Sequence, residues 1–485
     1  MLFPHVIAAL LVGGIANYTQ AQPAAPYPDL VLRVIRYELD AAVDYEAEMV
    51  TGTARLVVRN VSEQPTSEVP VLTYRLMPVT AVTDSAGWAL SFVQEVIALE
   101  DRPRQQVNFV RVALGVPLQP GGTTTVVIRY GGYLLGYAET GGAYVRDHVA
   151  PDFTILRDDG IGFPLLGYPS NRVNRKPGLT HFDYLARITV PESLWVANGG
   201  RLLGRTSKQG QATFTYQNIK PAWRMDFAIA PYRNLERGKF RVVYFPRDSA
   251  GATLLLDAVE RSVALYQEWF GPLAGGASFA VIELPDGFGS QADVTSILQT
   301  AAAFRDPSQR RQLYHEISHM LDVPPAEPFS PRLNEGLATY LEYLTADHLD
   351  GTAQLAPRLE LVRRWLQGVI AKRAELATIP MRDYGRHDLT DLSYSAGMIL
   401  FAILHDVLGD EEFRRVIREC HARHAVSGGT LDHFVQIARD VSSRDLSAVF
   451  DDWIYSTRWV DTVTRTGSIR QLLEHYRDLS SKAKT

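Results

Sequence analysis

The chain is predicted to be α+β, with an amino-terminal antiparallel β domain over residues 22–237 and a mainly helical domain over 238–485. Three observations predict it. Alternating or β-branched runs recur through the first half, and glycine-rich turns punctuate them. From Phe240 onward the apolar period lengthens to that of helices.

In the first half, strands are expected at Ala54 to Arg59, Thr124 to Tyr130, Tyr184 to Val190, Ala212 to Gln217 and Met225 to Ala230. Gly131-Gly132, Gly199-Gly200 and Lys208 to Gly210 act as turns. In the second half the order is a strand ending at Phe245, a helix from Thr253 to Phe270 and a strand over Ala280 to Leu284. Helices follow at Leu355 to Glu375, Ala396 to Leu408, Glu411 to His424 and Leu431 to Val441, with Gly409 and Gly428-Gly429 as breaks.

The chemistry is concentrated in His315-Glu316-Ile317-Ser318-His319 and in Asn334-Glu335-Gly336. The stretch Ser308 to Asp322 has neither Gly nor Pro and carries Leu313, Ile317, Met320 and Leu321 at helical spacing, so it is read as a helix. On a helix, His315 and His319 share one face a turn apart, and Glu316 stands one position round from the first imidazole. Ser330 as N-cap and Pro331 as first helical residue predict a second helix, which delivers Glu335 in its opening turns. Two imidazoles and one carboxylate leave a fourth position open, as catalytic zinc sites do. One Zn2+ per chain on His315, His319 and Glu335 is therefore expected. Glu316 would be the general base. The competing account makes these ordinary helix histidines, with Glu335 favoured by the helix dipole.

These motifs resemble those of the aminopeptidase N and leukotriene hydrolase group of gluzincin metallopeptidases. The resemblance extends to Tyr394-Ser-Ala-Gly397 and to Leu404-His-Asp-Val-Leu-Gly409-Asp-Glu-Glu-Phe413. It implies a thermolysin-like catalytic domain and a hydroxyl from Tyr394 that stabilises the oxyanion. More faintly, Tyr37-Glu-Leu-Asp40, Gly52 to Asn60 and Ala222 to Tyr232 are similar to the family's amino-terminal β saddle. The chain would be a short form, without the large carboxy-terminal helical-repeat domain. Two features depart from the family. Fifteen residues separate His319 from Glu335, a shorter connection than usual. No Gly-x-Met-Glu-Asn strand precedes the histidines, and Leu284 to Asp293 offers only Asp286, Gln291 and Asp293, with Glu283 beside it. Since the missing Glu binds the substrate amine in the family, weaker discrimination for free amino termini is expected.

An aminopeptidase acting on peptides or proteins is the leading expectation. An endopeptidase or narrow-substrate hydrolase on the same site, or an inert peptide-binding protein, is the alternative. A net charge of -5 without a basic tract argues against nucleic-acid partners. No Gly-x-Ser-x-Gly elbow or phosphate loop is present. An apolar run from Val6 to Ile15, ending at Ala21, reads as an export signal over residues 1–21, which places the mature chain in the periplasm or outside the cell without stable membrane insertion. Cys420 stands alone, so no internal disulfide forms, and it is read as a packing residue. His421 and His424 are read as solvated helix histidines. Nothing in the sequence sets the oligomeric state.

Overall fold

The structure, a computed structural model, describes residues 27–174, 181–273, 279–327, 329–387 and 389–481. The expected signal segment, 1–21, lies outside the described residues.

Alternation in the sequence becomes alternation in burial. Along Leu32–Asp44, the side chains of Leu32, Val34, Tyr37, Leu39, Ala41 and Val43 point into the core, and most of the residues between them face outward. Each such Val or Leu removed from water contributes ~1.5–3 kcal/mol. The strand sits in a seven-stranded sheet, flanked by Met49–Asn60 antiparallel and by Asp183–Pro191 parallel, the one parallel pairing of that sheet. A four-stranded sheet built on Thr66–Tyr74 and Arg102–Leu118 packs against it. Asn60, whose Asn-Val-Ser context fits a glycosylation sequon, is fully buried and donates its amide hydrogens to Gln64 and Leu118.

The second half opens with a five-stranded sheet in the order Arg233–Arg237, Phe240–Tyr244, Phe279–Leu284, Ser296–Thr300, Gln291–Asp293. The expected boundary at 237/238 thus falls inside a hairpin, because Arg233–Arg237 pairs with Phe240–Tyr244 rather than with the first-half sheets. Ser249–Phe270 covers the sheet, and Leu333–Asp350, Leu355–Ile370 and Leu392–His424 complete the helical core. Leu392–His424 is apolar and long enough to cross a membrane, with a mean hydropathy of 1.5, but 72% of that window is buried inside the protein. It breaks at Gly409, where φ is 69°. Cys420 is buried in this helix, and burial pushes its thiol up to about 12.

A third apolar cluster joins the halves, with Phe153, Ile155 and Ala228 on one side and Val243, Ile282, Leu284, Phe288 and Leu298 on the other. It fixes the five-stranded sheet, and hence its edge strand Gln291–Asp293, against the β half. That edge strand runs beside the helix that carries the histidines.

Candidate metal centre

The histidine helix is shorter than its sequence suggests. Regular α-helix spans Arg311–Ser318, and His319–Leu321 tightens into a 3-10 turn before Pro324 and Pro325 divert the chain. His315 and His319 remain one turn apart, with ring centroids 5.1 Å from each other. The second helix begins two residues later than expected, at Leu333, because Arg332 adopts a left-handed conformation with φ 58°. Ser330 contributes through its hydroxyl, which accepts the Arg332 N–H at 3.3 Å.

Glu335 then reaches back between the imidazoles. Its Oε2 lies 3.6 Å from Nε2 of His315 and 3.6 Å from Nε2 of His319. A tetrahedral zinc with bonds of ~2.0–2.1 Å places neighbouring ligand atoms roughly 3.3 Å apart, so these three atoms already stand near coordinating distance. Their donor set of two nitrogens and one carboxylate oxygen suits zinc, and the three residues are the metal-binding group among the described residues.

The outer nitrogens are held as well. His319 Nδ1 is 3.0 Å from Oδ2 of Asp322, an oxygen that also accepts from Asn334 Nδ2 at 2.8 Å. His315 Nδ1 faces Oε2 of Glu342 at 3.5 Å, and Glu342 is anchored by Arg311 at 2.9 Å. Carboxylates on both Nδ1 atoms keep the protons there and leave both Nε2 lone pairs free for a metal. Burial alone would raise the Glu335 carboxyl, but the His315 hydrogen bond and the charges of His319 and Arg332 bring it down to about 2. It is ionised, as a ligand must be. Burial raises the Glu316 carboxyl above its usual range, against the lowering effect of the two histidines.

Tyr394 arrives on the helix Leu392–His424. The crossing of this helix with the glutamate helix is set by two glycines, since a Cβ on Gly336 would stand 2.6 Å from Cα of Gly397. Close approach brings the Tyr394 ring parallel to His315, centroids 6.4 Å apart, and puts its hydroxyl beside Glu335. Burial and that carboxylate raise the phenol's pKa, so it stays a proton donor at neutral pH.

All five sequence-predicted residues therefore converge. Asp322, Glu342, Arg311 and Arg332 were not singled out. Glu342 could have been, because it follows Glu335 by seven residues and so returns to the same helix face. The acids near the edge strand are occupied elsewhere. Glu283 is fully buried and accepts the Phe245 N–H at 2.8 Å, while Asp286 pairs with Arg305 at 2.8 Å. Gln291 is seized by the β half: Arg157 and Arg224 donate to its carbonyl at 3.1 and 2.8 Å, and its amide donates to Asp159 at 2.9 Å. Asp293 is set into the same arginine-carboxylate cluster, and burial pushes it up to about 7. His421, expected in solvent, is only 8% exposed and packs its ring against the backbone at Leu321 and Asp322.

Comparison with known proteins bears on the fold and on the segment that carries Glu335 and Tyr394. Residues 329–453 match the peptidase family M1 domain, a span that includes Glu335 and Tyr394 and begins after the histidine pair. An M1 zinc metallopeptidase of Deinococcus radiodurans, crystallised as a glutamate-to-alanine mutant with a Tyr-Ser-Ala substrate, superposes with TM-score 0.65 at 20% identity, covering 87% of this chain and 94% of that one. The same protein without the mutation gives 0.60 at 18%, covering 92% and 94%. Yeast LTA4 hydrolase with bestatin gives 0.64 at 14%, covering 90% of this chain and 71% of that one. No curated protein sequence matches. With the peptidase family M1 domain matched over residues 329–453, His315, His319 and Glu335 grouped as a metal could hold them, and the two-part fold of M1 zinc metallopeptidases shared along most of its length, the chain is similar to the M1 zinc metallopeptidases.

Proposed function

We propose that this chain is an aminopeptidase-type peptide hydrolase, exported from the cytoplasm, with a looser requirement for a free substrate amine than an enzyme that binds the amine through a carboxylate. The observation that carries the reading is the placement of Glu316, 9% exposed, next to both imidazoles while Tyr394 faces Glu335 from the opposite helix. His315, His319 and Glu335 would hold the zinc, which would supply Lewis acidity toward a water and a carbonyl. Glu316 takes the proton of the attacking water and delivers it to the leaving amine, a task its position beside both imidazoles suits; burial raises its carboxyl above the usual range. Tyr394 donates a hydrogen bond to the carbonyl oxygen as it becomes an oxyanion, which is worth roughly 3 kcal/mol for one such donor. The Tyr-Ser-Ala ligand of the Deinococcus radiodurans relative supports peptide as the substrate class.

A second reading, cleavage of blocked or internal peptide bonds, is favoured by the capture of Gln291 and by the absence of Glu283 and Asp286 from the metal centre. Purified protein, assayed for zinc and for cleavage of matched free and acetylated peptides with and without chelator, tests both. Chelator-sensitive cleavage of free peptides, with acetylated ones cut at a comparable rate, is expected. No cleavage of either set would refute the hydrolase, and a strict need for the amine would remove the second reading.

A further inference from the structure

We infer that Arg332 determines substrate preference by holding a substrate carboxylate beside the scissile bond; this rests on the hydrolase reading above. Arg332 occupies the turn just before the glutamate helix in a left-handed conformation, φ 58° and ψ 47°, which side-chain-bearing residues adopt rarely outside functional or tightly determined sites. That backbone throws the side chain over the metal centre. Its Nη2 donates to Oε1 of Glu335, whereas the two imidazoles face the other oxygen, Oε2. A metal held through Oε2 would leave Oε1 to the arginine, so the contact would not displace a ligand.

The rest of the guanidinium is free. Nη1 and Nε have no protein acceptor among the described residues, the side chain is 42% exposed, and the guanidinium carbon is 6.0 Å from the centre of the Tyr394 ring. A cation thus faces the place where the reacting carbonyl must lie. Apart from Asp391, the carboxylates around the site have cations to meet them, so the free charge nearest the reacting bond is that of Arg332. Glu316, Glu335, Glu342 and Asp322 are balanced by Arg311, Arg332 and a divalent metal, and Asp391, exposed at the head of the tyrosine helix, acts on Arg332 without pairing with it. What such a site can hold is a carboxylate, which accepts from the second Nη2 hydrogen together with Nε or Nη1 as two parallel hydrogen bonds of the planar fork. The carboxylate is either an acidic side chain next to the scissile bond or the free carboxy terminus of a short peptide.

Two peptide pairs separate these sources, all with the same amino terminus. One pair carries Glu or Gln beside the scissile bond with an amidated carboxy terminus; the other is a dipeptide as free acid or amide. At full zinc occupancy the wild type is expected to favour the acid in at least one pair by roughly 10-fold or more in kcat/KM, the scale of one charged hydrogen bond. Arg332→Gln should erase that ratio and Arg332→Lys should keep part of it. Calorimetric binding of the same pairs to zinc-loaded Glu316→Gln, with and without Arg332→Gln, reads the preference without turnover. If the wild type cuts no peptide but binding still discriminates through Arg332, the hydrolase reading fails and this one stands. Acid-to-amide ratios near one in both pairs, or an equal loss for acid and amide in Arg332→Gln, would overturn it and leave Arg332 only as a prop for Glu335.

Discussion

Replacing Gly336 by Ala should cost activity through geometry alone. The added Cβ would lie 2.6 Å from Cα of Gly397 and 2.8 Å from both C of Gly397 and O of Ser393, where ordinary contact begins at 3.4 Å. All three neighbours are backbone atoms, so no side chain can swing aside, and the helices must part by about 0.8 Å at this crossing. Tyr394 follows Ser393 directly and moves with it. A misplacement on the order of 1 Å can cost ~100-fold in rate, or ~2.7 kcal/mol of transition-state stabilisation. Overpacking should lower stability by a further ~1–3 kcal/mol. Gly397→Ala makes a milder test, since its Cβ meets Cα of Gly336 at 2.9 Å but its next neighbours only at 3.6 and 3.7 Å. The assay is kcat for a peptide substrate at full zinc occupancy, with Tm by calorimetry, in both alanine variants and on a Tyr394→Phe background. Gly336→Ala should lose more kcat than Gly397→Ala, and its loss should shrink once the hydroxyl is gone, because both act through one group. An unchanged kcat in Gly336→Ala, or fully additive losses with Tyr394→Phe, would refute the reasoning.

Other outcomes follow from the same contacts. Glu335→Ala removes one of three ligands and should abolish stoichiometric zinc, which elemental analysis reads directly. Glu316→Gln should retain zinc yet lose most turnover, since Glu316 is proposed to move protons rather than ligate; a metal-free variant would contradict that role. Asp322→Ala frees Nδ1 of His319 and should weaken zinc affinity about 10–100-fold in a competitive chelator titration. Glu283, in the sheet above the site, is pushed up from 4.5 to about 9 by burial and by Asp248. Its folded pKa exceeds the unfolded one, so the stability it contributes is complete below the unfolded value of 4.5 and lost as pH rises through about 9. Glu283→Gln should flatten that part of the Tm-versus-pH curve, and an unchanged slope between neutral pH and pH 9 would argue against the assignment.

Local sequence determined what local geometry can express. Four-residue spacing set His315 and His319 on one face, and apolar period two set the strands, so Met49–Asn60, Thr123–Tyr133 and Gln211–Gln217 lie where alternation places them, each with its ends extended or matched. Gly409 marks the break between two helical runs, and Leu431–Val441 has the predicted limits. Helix starts were less legible at the site. Ser330-Pro331 has the look of a cap, but Arg332 turns left-handed and postpones the helix to Leu333, a choice made by the pairing of its side chain with Glu335 and by Ser393, which donates to the Pro331 carbonyl. Only the tertiary structure decided the fate of Gln291, because its partners Arg157 and Arg224 are 134 and 67 residues away. The same holds for the stacking of Tyr394 on His315 and for the burial of His421 against Asp322, which join segments that no periodicity relates. The candidate metal-binding group was legible because two of its three residues sit a turn of helix apart. The groups that hold those three residues, and the arginine beside Glu335, owe their positions to helix crossings and to a sheet edge shared between the two halves of the chain.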